Sequence, residues 1–66
     1  MSDAGQAQLS VLGAQIDELA QRAALMAEAL DAPNTAEACT ALFEAERSLV
    51  MAGRAVERAR RSTIDR

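Results

Sequence analysis

The sequence contains no histidine, lysine, tryptophan or tyrosine, and it has one cysteine, one proline and one phenylalanine among 66 residues. Without histidine, the chain lacks the usual general base and the commonest metal ligand. Because Cys39 is the only cysteine, an intramolecular disulfide and a zinc site built from several cysteines are both excluded. The glycines Gly5, Gly13 and Gly53 are too scattered to form a phosphate-binding loop. We therefore expect no enzymatic activity, no bound metal and no cofactor.

Long apolar segments are also missing from the sequence. The longest uninterrupted apolar run covers residues 23–27, far short of the roughly 20 residues that span a bilayer. The first residues include Asp3 where a signal peptide carries basic side chains, and no apolar segment follows. A cysteine without a disulfide partner fits a reducing compartment. These features predict a cytoplasmic protein without a membrane partner.

The only proline divides the chain into two segments rich in Ala, Leu, Glu, Gln and Arg, which all favour helix. Pro33 lacks the amide proton that a helix interior needs, and it biases Ala32 towards extended geometry. Asn34 is a candidate N-cap for the second helix, with Glu37 at the capping-box position. Two helices joined by a short turn favour an antiparallel hairpin.

The predicted fold class is therefore all-α, with one helical hairpin as the single domain. The expected boundaries are residues 1–66 for the domain, about 5–31 for the first helix, 31–35 for the turn and about 35–63 for the second helix. Folding the chain about Pro33 places Gly13 and Gly53 at one level, which suggests a close contact there.

Apolar residues recur at alternating spacings of three and four in both segments, as in coiled coils. In the first segment this stripe consists of Leu9, Leu12, Ile16, Leu19, Ala23, Met26 and Leu30. A row of mostly small residues runs beside it, namely Gln6, Gly13, Ala20 and Ala27. The stripe of the second segment combines Leu42, Leu49, Val56 and Thr63 with Ala38, Ala45, Ala52 and Ala59. The predicted helix-packing or dimer seam is Leu9, Leu12, Ile16, Leu19, Met26, Leu42, Leu49 and Val56.

A hairpin this short has a single seam, and burial in such a small core barely offsets the entropy cost of folding. Apolar residues also lie off the predicted seam. Phe43, Val50 and Met51 on the second helix are therefore candidates for contact with a protein partner. A homodimer in which two hairpins close a four-helix bundle is the most economical arrangement, and docking on a different protein is the alternative.

Six of the seven arginines follow Pro33. Four of them are spaced to line one outer face of the second helix, and this arginine stripe consists of Arg47, Arg54, Arg58 and Arg61. The stripe could bind phosphates or an acidic protein surface. The arginines also have a purely structural explanation. Cations near a helix C-terminus interact favourably with the helix dipole, and Glu57 can pair with Arg60 or Arg61. No aromatic side chain interleaves the stripe to stack on bases.

In architecture, the chain is similar to the Rop-like proteins, which are small plasmid RNA-binding hairpins that dimerise into a four-helix bundle. The likeness lies in the length, the short turn after Leu30-Asp31-Ala32 and the position of Cys39 early in the second helix. The chain lacks the aromatic and lysine-rich first-helix face of those RNA binders, so no functional residue is carried over.

The sequence thus favours a small adaptor or regulator that acts through helix–helix association with itself and with a protein partner. A nucleic-acid-binding regulator that uses the arginine stripe is one alternative. A secretion-type co-chaperone subunit, stable inside a hetero-complex, is another.

Overall fold

The computed structural model describes residues 3–30 and 32–64, which form two helices packed against each other. Helix α1 covers Asp3–Ala29, helix α2 covers Ala36–Ile64, and a 3-10 turn, Pro33–Thr35, precedes α2. The two described ranges contain no strand. The predicted all-α hairpin is therefore confirmed, and its Cα atoms span 52 × 14 × 9 Å. The four-helix bundle stays a prediction, and Asp31, in the expected turn, lies outside the described residues.

Proline geometry shapes the connection between the helices. Ala32 is extended, with φ −79° and ψ 149°, as expected for the residue before Pro33. Pro33 is the first residue of the 3-10 turn. An amide proton at this position would have no partner within the turn, so proline loses no hydrogen bond there. The amide and hydroxyl of Thr35 both donate to the Ala32 carbonyl, at 3.0 and 2.7 Å. The expectation that Asn34 caps the second helix is corrected here, because Asn34 lies inside the 3-10 turn, whose own N-cap is Ala32 without a side-chain bond.

Each helix turns two neighbouring rows of residues towards the other helix. One row of α1 is Leu9, Ile16 and Ala23, which Leu30 continues just after the helix ends, and the other is Gln6, Gly13, Ala20 and Ala27. The rows of α2 are Leu42, Leu49, Val56 and Thr63, and Cys39, Glu46, Gly53 and Arg60. The most buried of the described residues are Ala20, Ala23 and Ala27, at 6, 8 and 1% exposure. The large side chains in these rows are half-buried.

The predicted helix-packing or dimer seam divides on α1, where Leu9 and Ile16 lie in the interhelical contact and three other members lie outside it. Leu12, Leu19 and Met26 lie beside the interhelical contact and remain 44, 44 and 56% exposed. The first segment contains two overlapping three–four stripes that share Leu9, Ile16, Ala23 and Leu30. The hairpin uses the stripe with the smaller residues, because small side chains let the two backbones approach closely.

On α2, too, only part of the stripe predicted from the sequence lies in the interhelical contact. The row Leu42, Leu49, Val56 and Thr63 lies in the contact, but its neighbours there are Cys39, Glu46, Gly53 and Arg60. The alanines that the sequence pattern paired with it, Ala38, Ala45, Ala52 and Ala59, are exposed. This leaves a row of alanines outside the hairpin contact, just as Leu12, Leu19 and Met26 are left outside on α1.

The two mid-helix glycines each accommodate a branched side chain of the other helix. A Cβ built at Gly13 would lie 3.8 Å from Cγ1 of Val56, and one built at Gly53 would lie 3.5 Å from Cγ2 of Ile16. Gly13 and Gly53 therefore both lie at a close contact between the two helices. Each provides the space into which a β-branched residue of the facing helix fits.

Polar contacts tie the helices together near both ends of the hairpin. At the open end, the Gln6 amide donates to the Arg60 carbonyl at 3.2 Å and also to the Thr63 hydroxyl. The Thr63 hydroxyl in turn donates to the Arg60 carbonyl at 2.8 Å. Near the turn, the Cys39 thiol approaches the Ala27 carbonyl at 3.4 Å. Hydrogen bonds therefore join α1 to α2 near the open end and near the turn.

Candidate interaction surfaces

The partner-facing candidates on α2 lie around one shallow groove. Phe43 and Met51 are 38 and 61% exposed, and Val50 between them is half-buried. The residues that line this groove are Phe43, Glu46, Arg47, Val50, Met51 and Arg54. The structure therefore places all three apolar candidates beside two members of the arginine stripe.

The arginine stripe is fully on the surface. Its four members, Arg47, Arg54, Arg58 and Arg61, are exposed along α2. None of them forms an ion pair with another residue in the described ranges. The stripe therefore presents four positive charges that no described carboxylate neutralises by direct contact.

Arg60 is paired, in contrast to the members of the stripe. Its guanidinium makes two hydrogen bonds with the Glu57 carboxylate, at 2.7 and 3.2 Å, one helical turn away. The hydrogen bond from Arg60 and the positive charges of Arg60 and Arg61 lower the pKa of Glu57. The hydrogen bond to Glu57 and its negative charge raise the pKa of Arg60. Glu57 is exposed and Arg60 is only half-buried, so solvent screens this pair and it adds little to stability.

A second, longer groove follows one side of the hairpin between the helices. Ser10 and Asp17 of α1 line it together with Val50 and Glu57 of α2. All four positions directly follow a residue of the interhelical rows. Because α1 and α2 are antiparallel, the residues that directly follow Leu9 and Ile16 lie on the same side of the hairpin as those that directly follow Leu49 and Val56.

The opposite side of the hairpin is apolar, and we name it the Leu–Ala face. It consists of Leu12, Leu19 and Met26 of α1 and of Ala38, Ala45, Ala52 and Ala59 of α2. Each of these residues directly precedes a residue of the contact rows Gly13–Ala20–Ala27 and Cys39–Glu46–Gly53–Arg60. Because the helices are antiparallel, both sets turn to the side away from the groove of Asp17 and Val50.

Two residues of the interhelical contact were missed by the sequence interpretation. Glu46 and Arg60 lie in the contact rows of α2, although neither is a typical core residue. The sequence signal for these contacts is the row of small residues on α1, because Gly13, Ala20 and Ala27 recur every seven residues and let α2 approach closely. A bulky or polar residue on α2 can lie opposite such a row.

Neither described range contains a helix long and apolar enough to cross a membrane. In the same ranges, no three Cys, Asp or Glu residues lie close enough to hold a metal ion. Comparison with known protein families, curated proteins and solved structures finds no match for this chain.

Proposed function

We propose that this chain is a small non-enzymatic interaction protein, an adaptor or regulator that works by helix–helix association. It associates with itself as a homodimeric four-helix bundle and presents its remaining helix surfaces to a protein partner. The burial pattern supports this proposal most directly. The buried residues of the described chain are three alanines, whereas most of the large apolar side chains are at least partly exposed.

The free energy of burial explains why this pattern favours association. Buried apolar area contributes roughly 25 cal/mol per Å², and alanine side chains supply little of it. A protein of this size needs more burial than a row of alanines to offset its conformational entropy. Leu12, Leu19, Leu25, Met26 and Met51 offer that additional area once another helix covers them.

Light scattering coupled to size exclusion tests this proposal, over chain concentrations from about 5 µM to about 500 µM. Refractive index must serve for detection, because the chain has no tryptophan or tyrosine. We expect a mass of two chains that persists on dilution. A one-chain mass with weak helical circular dichroism would contradict self-association and favour a subunit that folds inside a hetero-complex, such as a secretion-type co-chaperone.

A nucleic-acid-binding regulator is the second candidate function, and the unpaired arginine stripe favours it. Phosphate binding by arginines releases counterions, so affinity falls steeply with salt. A gel-shift titration at two salt concentrations, with Arg54→Glu/Arg58→Glu as the variant, separates this candidate from a protein adaptor. Salt-dependent binding that the variant loses would favour nucleic acid, and absence of binding at low salt would remove this candidate.

A further inference from the structure

We propose that the Leu–Ala face is the surface through which two copies of this chain dock, face to face. This inference rests on the proposed self-association and names the surface that carries it. Leu12, Leu19 and Met26 supply a row of large side chains, each 44 to 56% exposed. The exposed alanines of α2 supply a parallel row of small ones.

The face is almost free of charge, which distinguishes it from the rest of the surface. On α2 the row beyond the alanines consists of Ala41, Ser48, Ala55 and Ser62. On α1 the row beyond the large residues consists of Gln8, Gln15, Arg22 and Ala29. Arg22 is thus the single charged residue across these four rows. A surface of this kind can be buried without desolvating charges, which would otherwise oppose docking.

The two rows of the Leu–Ala face complement each other. Both repeat every seven residues, and one is large where the other is small. If a two-fold axis parallel to the helices relates the two copies, the large row of each copy packs on the small row of the other. Large side chains that interdigitate with small ones fill space without voids. A second copy of the chain therefore fits this face as a partner.

The surface area of the hairpin agrees with docking of a second copy. Two separate chains expose about 10,000 Å², twice the 5018 Å² of one, whereas a compact protein of about 14 kDa exposes about 6,700 Å². Forming a compact four-helix bundle would therefore bury about 3,300 Å² in total. Obligate homodimers bury roughly 2,000 to 5,000 Å². The lone hairpin thus exposes the excess area that a stable dimer needs.

A charge placed in the small row tests the location of this interface. Ala45→Glu introduces a carboxylate in the middle of the Leu–Ala face, outside the hairpin contact. Ala14→Glu is the matched control, because Ala14 is exposed on the other side of α1. Glutamate is a good helix former, so each change should weaken its own helix only slightly, and the added carboxylate near Asp17 and Glu18 makes Ala14→Glu the more severe test of helix stability. In light scattering at several concentrations, we expect Ala45→Glu to weaken dimerisation at least about tenfold and Ala14→Glu to leave it unchanged.

A larger apolar side chain tests the fit of the two rows. Ala45→Leu adds apolar area, so it would strengthen an unspecific apolar association. If a large row docks on a small row, Ala45→Leu instead overpacks the interface and weakens dimerisation. The double variant Leu19→Ala/Ala45→Leu exchanges large for small and should recover part of the lost affinity. Stronger dimerisation of Ala45→Leu alone would overturn the proposed pairing.

The remaining outcomes separate this inference from the proposed function. If the unaltered chain stays monomeric, self-association fails and the inference fails with it. If the unaltered chain is dimeric and Ala45→Glu dimerises equally well, the Leu–Ala face is not the interface, although self-association stands. If Ala45→Glu is both monomeric and unfolded while Ala14→Glu is a helical dimer, the inference is supported, because folding then depends on docking of this face.

Discussion

Ile16 of α1 fits over Gly53 of α2, where its Cγ2 atom lies 3.5 Å from the position that a Cβ would occupy. The reciprocal contact brings Val56 over Gly13. The four residues form two large-on-small pairs in the outer half of the hairpin, towards its open end. The same principle recurs on the Leu–Ala face, where large and small rows lie side by side.

Gly13→Ala should stabilise the protein. Its new Cβ would lie 3.8 Å from Val56, which is an ordinary van der Waals contact. Replacing a mid-helix glycine by alanine removes an entropy cost of about 0.5–1 kcal/mol. We therefore expect the free energy of unfolding to rise by about this amount, measured by urea denaturation followed by circular dichroism at one fixed chain concentration.

Gly53 offers a graded comparison with Gly13. Alanine there would meet the Asp17 Oδ1 at 3.3 Å, so the exposed Asp17 side chain must rotate slightly. We expect a smaller gain for Gly53→Ala, whereas Gly53→Leu should push Ile16 away and destabilise by about 1–3 kcal/mol. Equal stability of Gly53→Leu and the unaltered protein would contradict the close approach of the helices at this level.

Ala27→Leu should destabilise the hairpin, because Ala27 is the most buried of the described residues at 1% exposure. A leucine there must force α1 and α2 apart or adopt a strained rotamer, at a cost of about 1–3 kcal/mol. Ala14→Leu is the control, since Ala14 is exposed and leucine is also a strong helix former. The same denaturation measurement should show the control within about 0.5 kcal/mol of the unaltered protein.

Gln6→Ala should loosen the open end of the hairpin. The Gln6 amide bonds to the Arg60 carbonyl and the Thr63 hydroxyl, and these contacts join the first turns of α1 to the last turns of α2. Hydrogen exchange should accelerate for the amides in the first turns of α1 and the last turns of α2, while protection around Ala23 should stay unchanged. Gln8→Ala, at an exposed position two residues on, should change neither region.

The Glu57–Arg60 ion pair should make a small, pH-dependent contribution to the free energy of unfolding. Because pairing lowers the pKa of Glu57 below its ordinary value of 4.5, the contribution is fully present above that value. It is lost as the pH falls through the lower pKa of the folded protein. NMR titration of the Glu57 carboxyl should show this low pKa, and Arg60→Gln should return it towards 4.5. An unchanged titration in that variant would exclude Arg60 as the main cause.

The sequence was sufficient for the secondary structure, because local signals determine it. Pro33 breaks the chain, Ala32 before it is extended, and the flanking segments are rich in helix formers. The three–four spacing also indicated that the two helices pack on each other. The start of α2 was less predictable, since Thr35 and Pro33 form a 3-10 turn where Asn34 looked like a cap.

The rotation of each helix about its own axis could not be obtained from spacing alone. Leu9 and Ile16 belong to two stripes, one completed by Leu12 and Leu19 and the other by Gly13 and Ala20. Both stripes have the same period and differ only in side-chain size. Hydrophobicity favours the first stripe, whereas close approach of the two backbones favours the second.

The amino-acid sequence by itself thus determined two helices, one turn and an apolar stripe along each helix. The tertiary structure decided which stripe closes the hairpin, because only the packed pair shows that Ile16 and Val56 fit over Gly53 and Gly13. That choice also decides which residues stay outside. It turns Leu12, with the rest of the Leu–Ala face, to one side of an antiparallel pair, where a further helix can cover them.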